Sequence, residues 1–241
     1  TAVSLYGEDI EDPKGDVFGL TRGLSTQFPA QVTNSPLSES TIAGVSIGRA
    51  LAGEQPVALL QFADFLPLAY NQLFAEMGSM HWRTNGDWEA PVILMAICGG
   101  YRPGLGPFHA QTPVSLAAKI PGVDVFVPSN AADAAGMLNA AFASGRPSIF
   151  FYPKNLLNDR SVATSEDLEK HLVPIGKART VRSGRDITIV TWGSTMPLCE
   201  RVVEALEDAG ISAGLMDLRT MIPWDVEAVM AAASKTGCLL V

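Results

Sequence analysis

Apolar residues along the chain fall into two patterns that take turns. Short unbroken runs bounded by polar residues occur at 55–64 (QPVALLQFAD), 91–98 (PVILMAIC), 124–129 (DVFVPS) and 148–153 (SIFFYP), and each predicts a strand buried on both faces. Between them lie segments with helical spacing: 37–53, about 67–82, 112–120 and 130–144. A first strand is expected within TAVSLYGEDI, followed over 11–33 by loop and one short amphipathic turn, because Gly15, Gly19 and Gly23 break any longer pattern. Strand and helix alternating in this way predict an α/β fold, a mostly parallel sheet covered by helices on both faces.

The pattern changes at Lys154. The stretch that follows, NLLNDRSVATSEDLEKHLVP, is polar with charges of both signs and is expected to run over the surface as a linker. A second alternation then begins: a strand or hairpin in IGKARTVRSGRDITIVTWG, a helix in MPLCERVVEALEDAG with Gly210 as its stop, a strand in SAGLMDLRT, a helix in PWDVEAVMAAASKTG and a terminal strand CLLV. The expected organisation is a first domain over 1–158, a linker over 159–173 and a second α/β domain over 174–241. Thr1 stands almost inside a strand and CLLV would leave a sheet edge bare, so further residues are expected at both ends.

Composition narrows the classes of function. With 47% apolar residues, 22 Gly and only 17% charged residues, a chain of 241 residues is expected to bury a large core and a subunit interface as well. A net charge of −8 argues against binding nucleic acid through its phosphates. No apolar run approaches about 18 residues, so no membrane span is expected. Cys98, Cys199 and Cys238 form no CxxC pair, which suits a reducing, cytoplasmic setting and indicates neither a disulfide framework nor a zinc site.

Candidate chemistry is concentrated in two places. In NSPLSESTIAGVSIGRALAG, Ser38 is placed to cap a helix, so Glu39 falls in its first turn; Gly44 and Gly48, four apart, open a groove where another backbone can approach. Read from spacing alone, Glu39 complements the helix dipole, an effect of about 0.3–1 kcal/mol. The second place is GGYRPGLGPFHAQT, the Gly/Pro-rich loop at the carboxyl end of the 91–98 strand, where open α/β sheets tend to bind ligands. It lacks GxGxxG spacing, and the chain carries no GxxxxGK[ST], HExxH or GxSxG. Of the three histidines, His171 lies in the linker and is expected to be solvated, His81 is expected to pack beside Trp82, and His109 alone sits in a candidate ligand loop, as an acid/base candidate.

These motifs occur together in one family. PLSESTIAGVSIGRAL, QFADF, the stretch from PVILM to HAQT, PGVDVFVPSNAADAAGML, IFFYPK, GKARTVRSGRDITIVTWGS and DLRTMIPWD resemble, in order and over nearly the whole chain, the beta subunit of thiamine-diphosphate-dependent 2-oxo acid dehydrogenases. The resemblance implies a transketolase-like pyrimidine-binding domain followed by an incomplete transketolase C-terminal domain. It also implies that Glu39 bonds the ring nitrogen of the aminopyrimidine of thiamine diphosphate, that Leu37 lines the same pocket, that Gln61 fixes the pocket by hydrogen bonding, and that Phe65, where many relatives have Tyr, packs against the pyrimidine ring. His109 matches the His of the family's HSQ-type loop, near the reacting carbon, although this loop reads HAQT.

The family's GDG motif with its downstream Asn, which holds the diphosphate and magnesium, is missing: Gly86-Asp87 continues with Trp88. The resemblance therefore implies that magnesium and the other half of the site come from an alpha subunit or a fused alpha-like domain, with a second beta copy completing the assembly and a lipoyl acyltransferase core as a further partner. Where relatives use Asp and Asn to hold a potassium ion, this chain has Ser144 and Arg146, and the Arg146 guanidinium is expected to replace the cation. The activity implied is decarboxylation of a 2-oxo acid with acyl transfer to a lipoyl carrier. Carbon–carbon bond formation of transketolase or acyloin type with the same cofactor, or a noncatalytic interface role, are the alternatives.

Overall fold

The computed structural model describes residues 2–241, in two compact units: 2–125 with Ala141–Phe151, and Phe126–Ala140 with Tyr152–Val241.

The first unit contains β1 (Val3–Gly7), α1 (Leu24–Gln27), β2 (Val32–Asn34), α2 (Glu39–Leu51), β3 (Gln55–Leu60), α3 (Met80–Arg83), β4 (Ile93–Cys98) and α4 (Val114–Ala117). It shares β5 (Asp124–Phe126), α5 (Ala131–Ser144) and β6 (Ser148–Pro153) with the second unit. Within its sheet the strands lie in the order β5-β6-β4-β3-β1-β2, and β1 pairs in parallel with both β2 and β3, as β3 does with β4. The unbroken apolar runs behave as expected: β3, β4 and β6 are buried along nearly their whole lengths, as strands covered on both faces must be. From β1 the chain crosses to β2 on one side, whereas β3 leads to β4 on the other. This reversal opens a crevice at the carboxyl ends of β1 and β3.

Helix α2 buries Glu39, Ile42, Ala43, Ser46, Ile47 and Ala50, a stripe at helical spacing. Ser38 caps it in extended conformation, its hydroxyl accepting from the Thr41 N–H at 3.4 Å. The rest of its apolar surface is open: Leu51 is exposed, and a Cβ added at Gly48 would meet nothing within 4 Å.

The single helix expected over 67–82 is instead three pieces: a 3₁₀ segment at Ala63–Ala69, a π-helical segment at Gln72–Gly78, and α3. Pro67 lies inside the first piece and has no N–H to continue an α-helical ladder. At Gly78 the backbone runs so close to Pro121 that a Cβ would stand 2.5 Å from its carbonyl oxygen. His81, expected to pack, is exposed, with its Nδ1 against the Glu89 carboxyl.

In the second unit β7 (Arg179–Arg182), β8 (Ile187–Thr191), β9 (Ala213–Asp217) and β11 (Leu239–Leu240) form a sheet in the order β11-β8-β9-β7; β10 (Thr220–Ile222) follows β9. β7 and β8 do not make a hairpin, because β7 pairs antiparallel with β9, while β8 pairs in parallel with β9 and β11. Alternation along the strands sends Ile189 and Leu215 to one face, under Met196 and Val203 of α6 (Met196–Asp208), and Val190 and Met216 to the other, with Val229 of α7 (Val226–Thr236).

Asp217 ends β9 fully buried, accepting from Ser129 and Arg179, and burial is the main cause that pushes its carboxyl up from the ordinary range. Arg219, in left-handed conformation, joins Asp133 at 3.1 Å and the Lys177 carbonyl at 2.8 Å. His171 contacts Thr164 at 3.3 Å. Among the described residues no helix is long and apolar enough to cross a membrane.

Candidate functional site

The carboxyl ends of four neighbouring strands deliver the candidate side chains. Glu8 follows β1, Leu37 and Glu39 follow β2, Gln61 and Phe65 follow β3, and His109 lies in the loop after β4.

Near the reversal, two side chains offer acceptor oxygens that no group among the described residues engages, and that of Gln61 is fully buried. Glu39 is only 7% exposed, and among the described residues no group donates a hydrogen bond to its carboxylate. Gln61 is held through its side-chain N–H, donated to the Glu8 carbonyl, while its Oε1 is buried without a partner among the described residues. Buried acceptors are satisfied in most folded proteins, so the Gln61 Oε1, with the Glu39 side chain at the same crevice, marks a place that can receive a donor from outside the chain. The Glu8 carboxyl is pushed above its ordinary value by burial first, then by the negative charges of Asp9 and Glu39, with Lys14 pulling the other way.

A wall of rings adjoins these groups in sequence. The His109 imidazole meets Phe62 edge to face at 4.6 Å between centroids and Phe65 at 5.9 Å. Phe62 and Phe65 touch each other at 5.7 Å, and Phe18 extends the row between Phe62 and Tyr101. Asp64, between the two Phe residues that hold the imidazole, accepts from the backbone N–H groups of Ala110 and Gln111 at 3.3 and 3.2 Å.

The structure thus brings Gln61, Phe65 and His109 into one neighbourhood and joins Glu39 to it through Glu8. Leu37 is 73% exposed, at the rim rather than in a closed pocket. Glu8, Phe62 and Asp64 were not singled out from the sequence; their position at the carboxyl ends of β1 and β3 was the available signal. Away from these strand ends, Arg146 meets the buried Asp124 at 2.7 Å, and the Ser144 hydroxyl accepts the Arg146 backbone N–H. Burial pushes the Asp124 carboxyl up and Arg146 opposes it. Among the described residues no cluster of His, Cys, Asp and Glu is arranged to hold a metal ion.

Comparison with known proteins makes this a transketolase-like chain. Residues 1–160 match the model of the transketolase pyrimidine-binding domain and residues 176–241 that of the transketolase C-terminal domain. A solved structure described as a split-gene transketolase, inactive beta4 tetramer, superimposes with a TM-score of 0.79 at 22% identity over 98% of this chain and 71% of that one. Among curated relatives, the 2-oxoisovalerate dehydrogenase subunit beta of Bacillus subtilis is 41% identical over 239 residues, 99% of this chain and 72% of the relative. The mitochondrial 2-oxoisovalerate dehydrogenase subunit beta of Dictyostelium discoideum is 38% identical over 98% of this chain and 64% of its own length. The chain belongs to the beta-subunit family of thiamine-diphosphate-dependent 2-oxo acid dehydrogenases.

Proposed function

We propose that the chain is the beta half of an enzyme that decarboxylates a 2-oxo acid and transfers the acyl group to a lipoyl carrier. The observation that carries this reading is Glu39, a buried carboxylate with no donor of its own among the described residues, at the topological reversal of the sheet. An aminopyrimidine carries an amino donor, ring nitrogens that accept unless protonated, and an apolar face, and these residues fit it: the Glu39 carboxyl to share a proton with a ring nitrogen, the amide oxygen of Gln61 as an acceptor, and the rings of Phe62 and Phe65 as an apolar surface.

When bound, thiamine diphosphate supplies the carbon nucleophile and the electron sink for decarboxylation. The chain's own residues hold and shield it. The Glu39 carboxylate holds a proton at a ring nitrogen, a charge-assisted bond strengthened by exclusion of water. Its place in the first turn of α2 sets it at the positive end of that helix. Gln61, pinned by its bond to Glu8, offers Oε1 in a fixed direction. Phe62 and Phe65 keep water from the reacting region, and His109, held against them, orients the substrate carboxylate and moves a proton. Leu37 at the rim is covered by the partner half.

The diphosphate end and its magnesium belong to an alpha subunit or fused alpha-like domain, since no GDG with a downstream Asn is present in this chain. A second beta copy and a lipoyl acyltransferase complete the assembly. In the same reading, the Arg146 guanidinium, bonded to Asp124, stands where relatives hold potassium.

The test is 2-oxo acid-dependent reduction of an artificial electron acceptor by the chain combined with its alpha half, thiamine diphosphate and magnesium, with branched-chain 2-oxo acids and pyruvate compared. Turnover that needs all four components, and acyl transfer to a lipoyl domain, is the expected result. Cofactor binding without turnover of any 2-oxo acid overturns it in favour of carbon–carbon bond formation.

A further inference from the structure

We infer that Asp64 is a positioning residue, whose carboxylate sets the His109 loop against the ring wall; the inference rests on the proposed role of His109 at the reacting centre. His109 lies in a Gly/Pro-rich loop with little regular structure, where Gly99, Gly104 and Gly106 all adopt left-handed conformations. Such a loop does not hold a side chain in one place by its backbone alone. The two residues directly after His109 are tied down by one atom: Oδ1 of Asp64 accepts the N–H groups of both Ala110 and Gln111. Two further bonds close the loop on itself, from the Gln111 side-chain N–H to the Pro107 carbonyl at 2.8 Å and from the Gly99 N–H to the Gln111 carbonyl at 3.0 Å.

The anchor is itself fixed. Asp64 lies between Ala63 and Leu66, both fully buried, and its near neighbours Phe62 and Phe65 are the rings that receive the imidazole. One short segment, FADF, therefore grips the loop by a carboxylate and seats the histidine by two rings. The second oxygen, Oδ2, is buried without a hydrogen-bond partner among the described residues. A buried oxygen kept in that state costs stability that a small apolar residue would avoid, which is expected of a group retained for position rather than for folding.

Because one oxygen makes both bonds, Asp64→Asn keeps an acceptor in place and Asp64→Ala removes it. The complete enzyme with its alpha half is assayed for kcat, for KM of the 2-oxo acid and for melting temperature, alongside amide hydrogen exchange at Ala110 and Gln111. In Asp64→Ala the two amides are expected to exchange about tenfold faster or more, the bonds that protect them being gone. A shift of the histidine by about an ångström should lower kcat roughly 10- to 100-fold with KM changed far less. Asp64→Asn should restore both the protection and most of the kcat.

Unchanged exchange in the Ala variant overturns the clamp. Faster exchange with unaltered kcat overturns the positioning role, as does equal loss in the Asn and Ala variants. If the wild-type enzyme turns over no 2-oxo acid, the functional reading falls by itself, and the clamp still stands or falls on the exchange of the two amides.

Discussion

Glu8 shows how its surroundings set the character of a carboxyl at a strand end. Burial and two nearby negative charges push the Glu8 carboxyl above its ordinary value of 4.5. The folded state therefore holds the Glu8 proton more tightly than the unfolded state, and the contribution of this group to stability falls as pH rises from 4.5 through the raised value. Glu8→Gln removes this pH-dependent term: its melting temperature is expected to exceed that of the wild type above neutral pH, with the gap closing on acidification toward 4.5, as thermal melts across pH will show. A variant less stable than wild type at every pH contradicts this account of Glu8.

Asp124 obeys the same sign with a partner added. Arg146→Met leaves a buried carboxylate without its cation, at an expected cost of about 2 kcal/mol near neutral pH, read from denaturant unfolding. The loss should shrink as acid protonates Asp124, whose carboxyl burial already holds above its ordinary 3.8. At this scale the sequence spoke clearly where a residue ends a recognisable pattern, as Glu39 does after PLS. It was silent on Glu8 and Asp64, because their partners lie 31 and 46 residues away and only the parallel pairing of β1, β3 and β4 brings them together.

Among the elements, strands buried on both faces were the most legible, since β3, β4 and β6 need nothing but unbroken apolar runs. Segment 63–83 was not, because apolar spacing cannot distinguish α from 3₁₀ and π winding when Pro67 and the close approach at Gly78 decide the hydrogen bonding. The β7–β8 hairpin failed for a related reason: the antiparallel partner of β7 is the distant β9.

Helix α2 shows what an element can hold in reserve. Beside Gly44 and Gly48 lies a groove of about 490 Å³ lined by Leu51, Gln72, Met80 and Trp88 among others, and a Cβ at Gly48 meets no atom of the first unit within 4 Å. Gly48→Ala should therefore stabilise the isolated chain by up to about 1 kcal/mol through helix propensity alone. If the groove takes a partner's backbone, as the proposed assembly implies, a larger Gly48→Leu side chain should also weaken association with the alpha half, measured by sedimentation in analytical ultracentrifugation. Full assembly of the Leu variant would remove the groove from the interface.

For the whole molecule, the order of motifs was more informative than any one of them. Strand ends that are far apart in the chain converge on one crevice, and the match of residues 1–160 and 176–241 to the two transketolase domains follows that order. The central claim is that Glu39 serves the cofactor and not only its own helix. The most direct test is cofactor-dependent turnover of the assembled Glu39→Gln enzyme beside the wild type, with melting temperature and assembly measured on the same samples. A fall in kcat of roughly 100-fold or more with folding and assembly intact is the expected result. Undiminished turnover would contradict it and leave Glu39 with the dipole-complementing role that its position in the first turn alone would give.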